Sequence, residues 1–412
     1  MTASPPSRYG ERVDQLEPTL LIIPALAVLA PLLARGLRRV VRIPIVVFEL
    51  MLGILFGPSL LGWAVPSDFI AALSEFGLAM LFFVAGSEIE FGVFRGRAGR
   101  SAILGWFLSL AIGVGMTWLF APGEIAIVIG IALCSTALGT LLPILRDTGE
   151  LKTPFGQSVG AVGAVGEFGP LIAISIFLGA SNPGIEAVVL VLFALVAGLA
   201  IWLAFRMPRG AMHRVVNSTL HTSGQFAIRV VFLILSALVA LSIVLDLDLL
   251  LGAFTAGIVW RLLMRDAEHA DRRAVESKVE AVAFGFLVPV FFIYTGVTFD
   301  LAALFVEPLL FFIVVFVLLA LLLVRGVPSM LAVPAGSTRR DRVSMAFFGA
   351  TGLPIIVAVT GIGVSEGVLD TSDAAVLVGA GMLSVLLYPL IAMTIRGERK
   401  VPVSVTLEDD RA

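Results

Sequence analysis

The chain has 412 residues, of which 59% are hydrophobic and 14% charged, with a mean hydropathy of +1.05. Soluble domains carry about 25% charge, so the composition excludes an ordinary soluble domain and describes an integral membrane protein. The net charge of −2 points to no partner, and the single cysteine, Cys134, excludes an internal disulfide and a cysteine-based zinc site.

Residues 1–17 are polar and lead into a first apolar run at 18–34. Arg35, Arg38, Arg39 and Arg42 follow it, the flank of a spanning anchor and not of a cleaved signal peptide. Further runs of about 20 apolar residues fall at 44–63, 70–90, 101–120, 125–145, 154–179, 184–205, 225–245, 248–264, 281–299, 303–326, 343–364 and 374–395. Thirteen predicted spans put the two ends of the chain on opposite sides. All Lys and Arg residues except Arg8, Arg12, Arg229 and Arg325 fall in alternate connections and the C-terminal tail. The intervening connections hold acids instead, among them Asp68, Glu124, Glu186 and Asp370. The positive-inside rule then predicts an external N-terminus and a cytoplasmic C-terminus, in a multi-pass protein of the plasma membrane.

In chain order, Leu50–Gly57 in the second span reads like Leu250–Gly257 in the ninth, and Phe82–Gly86 in the third like Phe291–Gly296 in the tenth. The partners are seven spans apart. An odd offset reverses orientation, so these are expected to be inverted repeats, an architecture with a midplane site in secondary transporters. The same offset pairs the fifth span, containing Cys134-Ser135-Thr136-Ala137-Leu138-Gly139-Thr140-Leu141-Leu142-Pro143, with the twelfth, containing Ala350-Thr351-Gly352-Leu353-Pro354. Glycine and proline weaken a helix interior, so Gly139, Pro143, Gly352 and Pro354 mark two expected helix breaks. Freed carbonyls and the hydroxyls of Ser135, Thr136 and Thr351 could there replace part of a cation's hydration shell.

In the sixth span, Glu167 is the only carboxylate of a long apolar stretch. An ionisable side chain at bilayer depth costs about 2.5–3.5 kcal/mol, and it is neutralised by taking up a proton or a cation. Ser135–Thr136, Thr351–Pro354 and Glu167 all lie about 15–20 Å deep at 1.5 Å per residue, so they can meet. In the eleventh span, Arg325 either pairs with a carboxylate, Glu88 or Glu167, or reaches back to the interface. Glu49, near the end of its helix, reads as a solvated or capping acid. His213, His221 and His269 lie in connections. Scattered histidines and short loops argue against a membrane enzyme, the glycine-rich stretches inside spans are packing surfaces and not phosphate loops, and no filter-like stretch suggests a channel. No cofactor, resident metal or nucleic-acid partner is expected.

Three motifs taken together resemble the monovalent cation:proton antiporter-2 family, the sodium/hydrogen exchanger-like transporters that include Kef-type proteins. They are Phe48-Glu49-Leu50-Met51-Leu52-Gly53-Ile54-Leu55-Phe56-Gly57-Pro58-Ser59-Leu60-Leu61-Gly62; Leu81-Phe82-Phe83-Val84-Ala85-Gly86-Ser87-Glu88-Ile89; and Ser135-Thr136-Ala137 through Leu145 with Thr153-Pro154-Phe155-Gly156. The resemblance implies an all-α membrane fold with inverted repeats and two discontinuous crossing helices, and a homodimer. It divides the chain into a tail with scaffold helices 1–3 (1–97), core helices 4–6 (98–182), a linking helix 7 with its loop (183–223), scaffold helices 8–10 (224–301), core helices 11–13 (302–395) and a cytoplasmic tail (396–412). The core would carry the ion in an elevator-like displacement. It also implies a basic residue at Arg325 facing the core. The family usually has a polar or acidic residue followed by aspartate in the sixth helix; here the pair is Gly166-Glu167. The nucleotide-binding regulatory domain of Kef proteins is expected to be absent.

The function expected is exchange of Na+ or K+ for protons by competition at Glu167, one for one and electroneutral. The alternative on the same fold is a proton- or sodium-coupled carrier of a small organic solute, which a single buried acid without a free midplane base disfavours.

Overall fold

The computed structural model describes residues 8–37, 44–88, 96–151, 153–177, 183–206, 225–245, 247–265, 269–299, 301 and 309–397. The connection bearing His213 and His221, Ile89 of the second motif and the tail beyond Gly397 lie outside the described residues. Within them the chain is helical and no strand occurs. Ten helices are long and apolar enough to cross a membrane, and three shorter apolar ones complete the thirteen expected spans.

The helices are α1 (Arg8–Leu37), α2 (Ile45–Phe56), α3 (Asp68–Ser87), α4 (Arg97–Trp118), α5 (two halves, Glu124–Leu133 and Leu138–Asp147), α6 (Pro154–Phe177), α7 (Pro183–Arg206), α8 (Phe226–Val244) and α9 (Leu249–Leu263). Next come α10 (His269–Val282, a wide π turn at Ala283–Leu287, then Val288–Val297) and α11, which begins at Leu309–Leu321 and passes through a π turn at Leu322–Gly326. Last are α12 (two halves, Arg339–Gly349 and Pro354–Ser365) and α13 (Thr371–Arg396).

Three boundaries differ most from the apolar runs. α1 begins at Arg8, ten residues before its run. α2 stops at Phe56, because the backbone turns back: the N–H groups of Leu61, Trp63 and Ala64 donate to the last carbonyls, Leu55 and Phe56, which a helix end leaves unpaired. α10 begins at His269, twelve residues before its apolar run. The extra turns are polar, and Arg272 and Glu276, one turn apart, form an ion pair at 3.4 Å, a spacing that supports a helix.

The repeated stretches turn out to pack on each other. α2 lies along α10 and α3 along α9. A Cβ on Gly53 would fall on the Ile293 carbonyl and one on Gly296 on the Leu50 carbonyl. A Cβ on Gly86 would fall on the Phe254 carbonyl and one on Gly257 on the Phe83 carbonyl. The two crossings are the same contact used twice, once in each orientation, and small residues are what let membrane helices come this close. On the face that carries the basic connections, Arg396 at the end of α13 reaches Glu150 at 3.0 Å and Asp341 at 3.8 Å and lies over the Phe155 ring, tying α5, α6, α12 and α13 together.

Gly53→Ala is expected to destabilise the protein by about 1–3 kcal/mol, the usual range for overpacking. Gly198→Ala, at an α7 glycine with open space around it, is expected to be neutral or slightly stabilising; thermal unfolding in detergent compares the two.

Candidate ion-binding site

α5 and α12 both lose helical form in mid-membrane, at Cys134–Ala137 and Ala350–Leu353. Buried N–H and C=O groups freed by such breaks must find partners within the protein. Here they find each other. The Ala137 N–H donates to the Thr351 carbonyl at 2.7 Å, and the Thr136 N–H donates to the Gly166 carbonyl of α6 at 3.0 Å. The Thr136 hydroxyl donates to the Gly349 carbonyl at 2.6 Å. The Gly352 N–H donates to Ser384 Oγ of α13 at 3.1 Å, and that hydroxyl lies 3.0 Å from the Gly352 carbonyl. The two unwound segments therefore cross in direct contact.

Of the four expected break residues, Gly352 lies in the unwound stretch and Pro354 is the first residue of the second half of α12, where its missing N–H costs nothing. Gly139 and Pro143 are corrected: both lie past the break, inside Leu138–Asp147. The chain unwinds where the crossing supplies partners, not where helix propensity is lowest.

Glu167, in α6, is 3% exposed. Its Oε1 accepts the Gly139 N–H at 3.2 Å, so the carboxylate caps the second half of α5. The first N–H groups of a helix lack internal partners and carry the positive end of its dipole. Oε2 is buried and has no hydrogen-bond partner among the described residues. Ser135, Thr136 and Thr351 are fully buried around the crossing. The Ser135 and Thr351 hydroxyls donate within their own helices, to Ala132 at 2.8 Å and Phe347 at 3.0 Å, which leaves their oxygens as electron-pair donors.

Arg325 is fully buried in the π turn of α11. Its Nε donates to Thr136 Oγ1 at 2.8 Å and its Nη2 to the Val162 carbonyl at 2.7 Å, and Nη1 has no hydrogen-bond partner among the described residues. The expected pairing with Glu88 or Glu167 is corrected, since both of its bonds go to neutral oxygens. The reason lies in its neighbours: the Thr136 hydroxyl and the Val162 carbonyl of α6 take its N–H groups. Glu88 instead caps the end of α3 and lines a cavity of about 120 Å³ with Gly139 and Glu280. A Cβ on Gly166 would lie 2.6 Å from Thr136 Oγ1 and 2.7 Å from Arg325 Nη2. Glycine is thus what makes room for the guanidinium beside the acid.

A larger cavity of about 740 Å³ runs from Arg35, Pro44 and Thr148 down to Gly139, Thr140 and Pro354, with Glu49 in its wall. Sequence reasoning missed Ser384, the Val162 carbonyl and the burial of Glu49. Only the last had a signal, a carboxylate within an otherwise apolar helix.

The sequence profile described as "Sodium/hydrogen exchanger, transmembrane" matches residues 25–395. The chain belongs to this family. Its similarity to the "Putative Na(+)/H(+) antiporter YjbQ" of Bacillus subtilis is 26% identity over 90% of this chain and 62% of that protein. For the "Na(+)/H(+)-K(+) antiporter GerN" of Bacillus cereus the figures are 28%, 67% and 71%. For the "Glutathione-regulated potassium-efflux system protein KefC" of Escherichia coli they are 27%, 83% and 55%. The chain therefore spans less than two thirds of YjbQ and KefC. The solved sodium proton antiporter MjNhaP1 of Methanocaldococcus jannaschii shares the fold, with a TM-score of 0.64 at 16% identity over 92% of this chain and 96% of that one. The family consists of multi-pass membrane transporters, not enzymes.

Thr136→Val removes an acceptor from the Arg325 charge and a donor from Gly349. Hydrogen bonds to charged groups contribute about 1.5–3 kcal/mol, so a loss of that size is expected in detergent unfolding of the protein. Gly166→Ala is expected to destabilise further in the Arg325 background than in Arg325→Met, which a double-mutant cycle measures.

Proposed function

We propose that this exchanger swaps Na+ or K+ for protons by competition at Glu167. The observation that carries the reading is the Glu167 carboxylate itself. One oxygen is held by a half-helix N-terminus, while the other is buried without a hydrogen-bond partner among the described residues, at the meeting point of two broken helices. Such an oxygen binds either a proton or an alkali cation, and one group cannot hold both at full strength. If the loaded forms cross and the empty anion does not, exchange is obligatory, one for one and electroneutral. The Ser135, Thr136 and Thr351 oxygens and the freed carbonyls complete the cation's ligands. Arg325 stays in place as a fixed positive charge, held by Thr136 and Val162. The antiporter and efflux activities named for YjbQ, GerN and KefC support this cargo class.

Helices α4–α6 and α11–α13 form the moving core that carries Glu167. Helices α1–α3 and α8–α10 form the scaffold and the homodimer contact, and α7 links the two. The face bearing the basic connections is cytoplasmic, with an external N-terminus.

In proteoliposomes that report internal pH while Na+ or K+ is added, Glu167→Gln is expected to reduce exchange to the level of protein-free vesicles with assembly intact. Glu167→Asp is expected to keep a measurable rate. Exchange that persists in Glu167→Gln, or a reversal point that shifts with membrane potential, would overturn the mechanism.

A further inference from the structure

We propose that Glu49 is a second cation-binding carboxylate, a capture site in the large cavity that supplies Glu167 from the basic face alone. This rests on the exchange reading above.

Glu49 is 5% exposed. It does not cap its helix, because α2 starts at Ile45 after Pro44 with no side-chain cap. Among the described residues it makes no hydrogen bond and no ion pair. It lines the 740 Å³ cavity, and so do Gly139, whose N–H holds Glu167, and its neighbour Thr140. One cavity thus holds Glu49 in its wall and reaches the residue whose N–H binds Glu167.

Depth orders them. Glu49 lies four residues from the start of α2, about 6 Å in at 1.5 Å per residue. Gly139 lies nine residues from Thr148 at the mouth, about 13 Å in by the same rise. An ion moving inward passes Glu49 first.

The rest of the wall selects the ligand. Among its described residues the only other charged side chain is Arg35, at the end of α1. The elements that close round Glu49 contribute Leu81, Phe284, Phe292 and Leu390. A smaller adjoining cavity shares Leu81, Gly139 and Phe284 and adds Glu88 and Glu280, so the charges of that cavity are acidic. A carboxylate in largely apolar walls, where attraction is little screened, and not ion-paired with Arg35, suits a partly hydrated monovalent cation and repels anions.

Glu49 belongs to α2, packed on α1 and α10, whereas Glu167 belongs to α6. In the proposed displacement Glu167 moves and Glu49 stays. The cavity then joins Glu49 to the Gly139 end, where Glu167 is held, in only one of the two orientations, so the capture site acts on one face.

The test uses everted and right-side-out vesicles carrying the full chain, with Na+ alone or K+ alone added. In Glu49→Gln, half-saturation at the basic face is expected to rise about tenfold, the low end of what a charged cleft contributes. At the opposite face it stays at the wild-type value, and the maximal rate stays within about twofold. Glu49→Gln/Val46→Glu, which returns a carboxylate to the wall one turn away, is expected to restore it. An unchanged value at the basic face, or an equal rise at both faces, overturns the proposal. A second readout needs no Glu49 variant: carbodiimide labelling of Glu49 is expected to be slowed by Na+ or K+ and not by choline, in wild type and in Glu167→Gln alike. Labelling indifferent to alkali cations overturns the proposal as well. Because Glu167→Gln tests the exchange mechanism separately, protection of Glu49 in that variant distinguishes failure of one idea from failure of the other.

Discussion

Backbone that leaves helical form inside an apolar bundle has no water to turn to, and the whole site follows from how two such stretches satisfy one another. Cys134–Ala137 and Ala350–Leu353 are more than two hundred residues apart, yet each supplies the partners the other lacks. Thr136 is the central knot. Its N–H binds α6, its hydroxyl proton binds α12, and its oxygen receives the guanidinium of α11. Glu167 then takes an N–H that the restarted helix leaves over. The acid is therefore a helix cap first, with part of its capacity used by the fold and the remainder free to bind a ligand.

That arrangement needs a rigid surround, and the repeat supplies it cheaply. The crossing of α2 with α10 and that of α3 with α9 present glycine against backbone carbonyl in both directions. Lipid offers no hydrophobic drive for helices to associate, so close van der Waals approach of this kind is what holds them. Duplicating one good contact in two orientations builds half of the bundle from one solution.

Much of this was legible in the residues. Apolar run lengths located all thirteen helices, the matching of Leu50–Gly57 with Leu250–Gly257 led by counting to the two broken helices, and Glu167 stood out as the only carboxylate of its apolar stretch. What stayed hidden depended on tertiary partners. Gly139 and Pro143 read as the weakest part of α5, but the helix holds there because Glu167 caps its start. Gly166 read only as a departure from the family's polar or acidic residue, yet Arg325 reaches that place from a helix far along the chain. Ser384 gave no signal at all, being one hydroxyl in a small-residue helix. Glu49 read as a solvated or capping acid because its closeness to the helix start says nothing about which elements close over it.

The π turn at Leu322–Gly326 carries a consequence for anyone comparing relatives. A π turn lodges one surplus residue in a helix, and one residue is about 100° of rotation. A helical wheel drawn straight through α11 is thus out of phase on one side of Arg325, and assigns the guanidinium to the wrong flank. Aligned sequences that differ by a single deletion here would keep the basic residue in name while aiming it elsewhere.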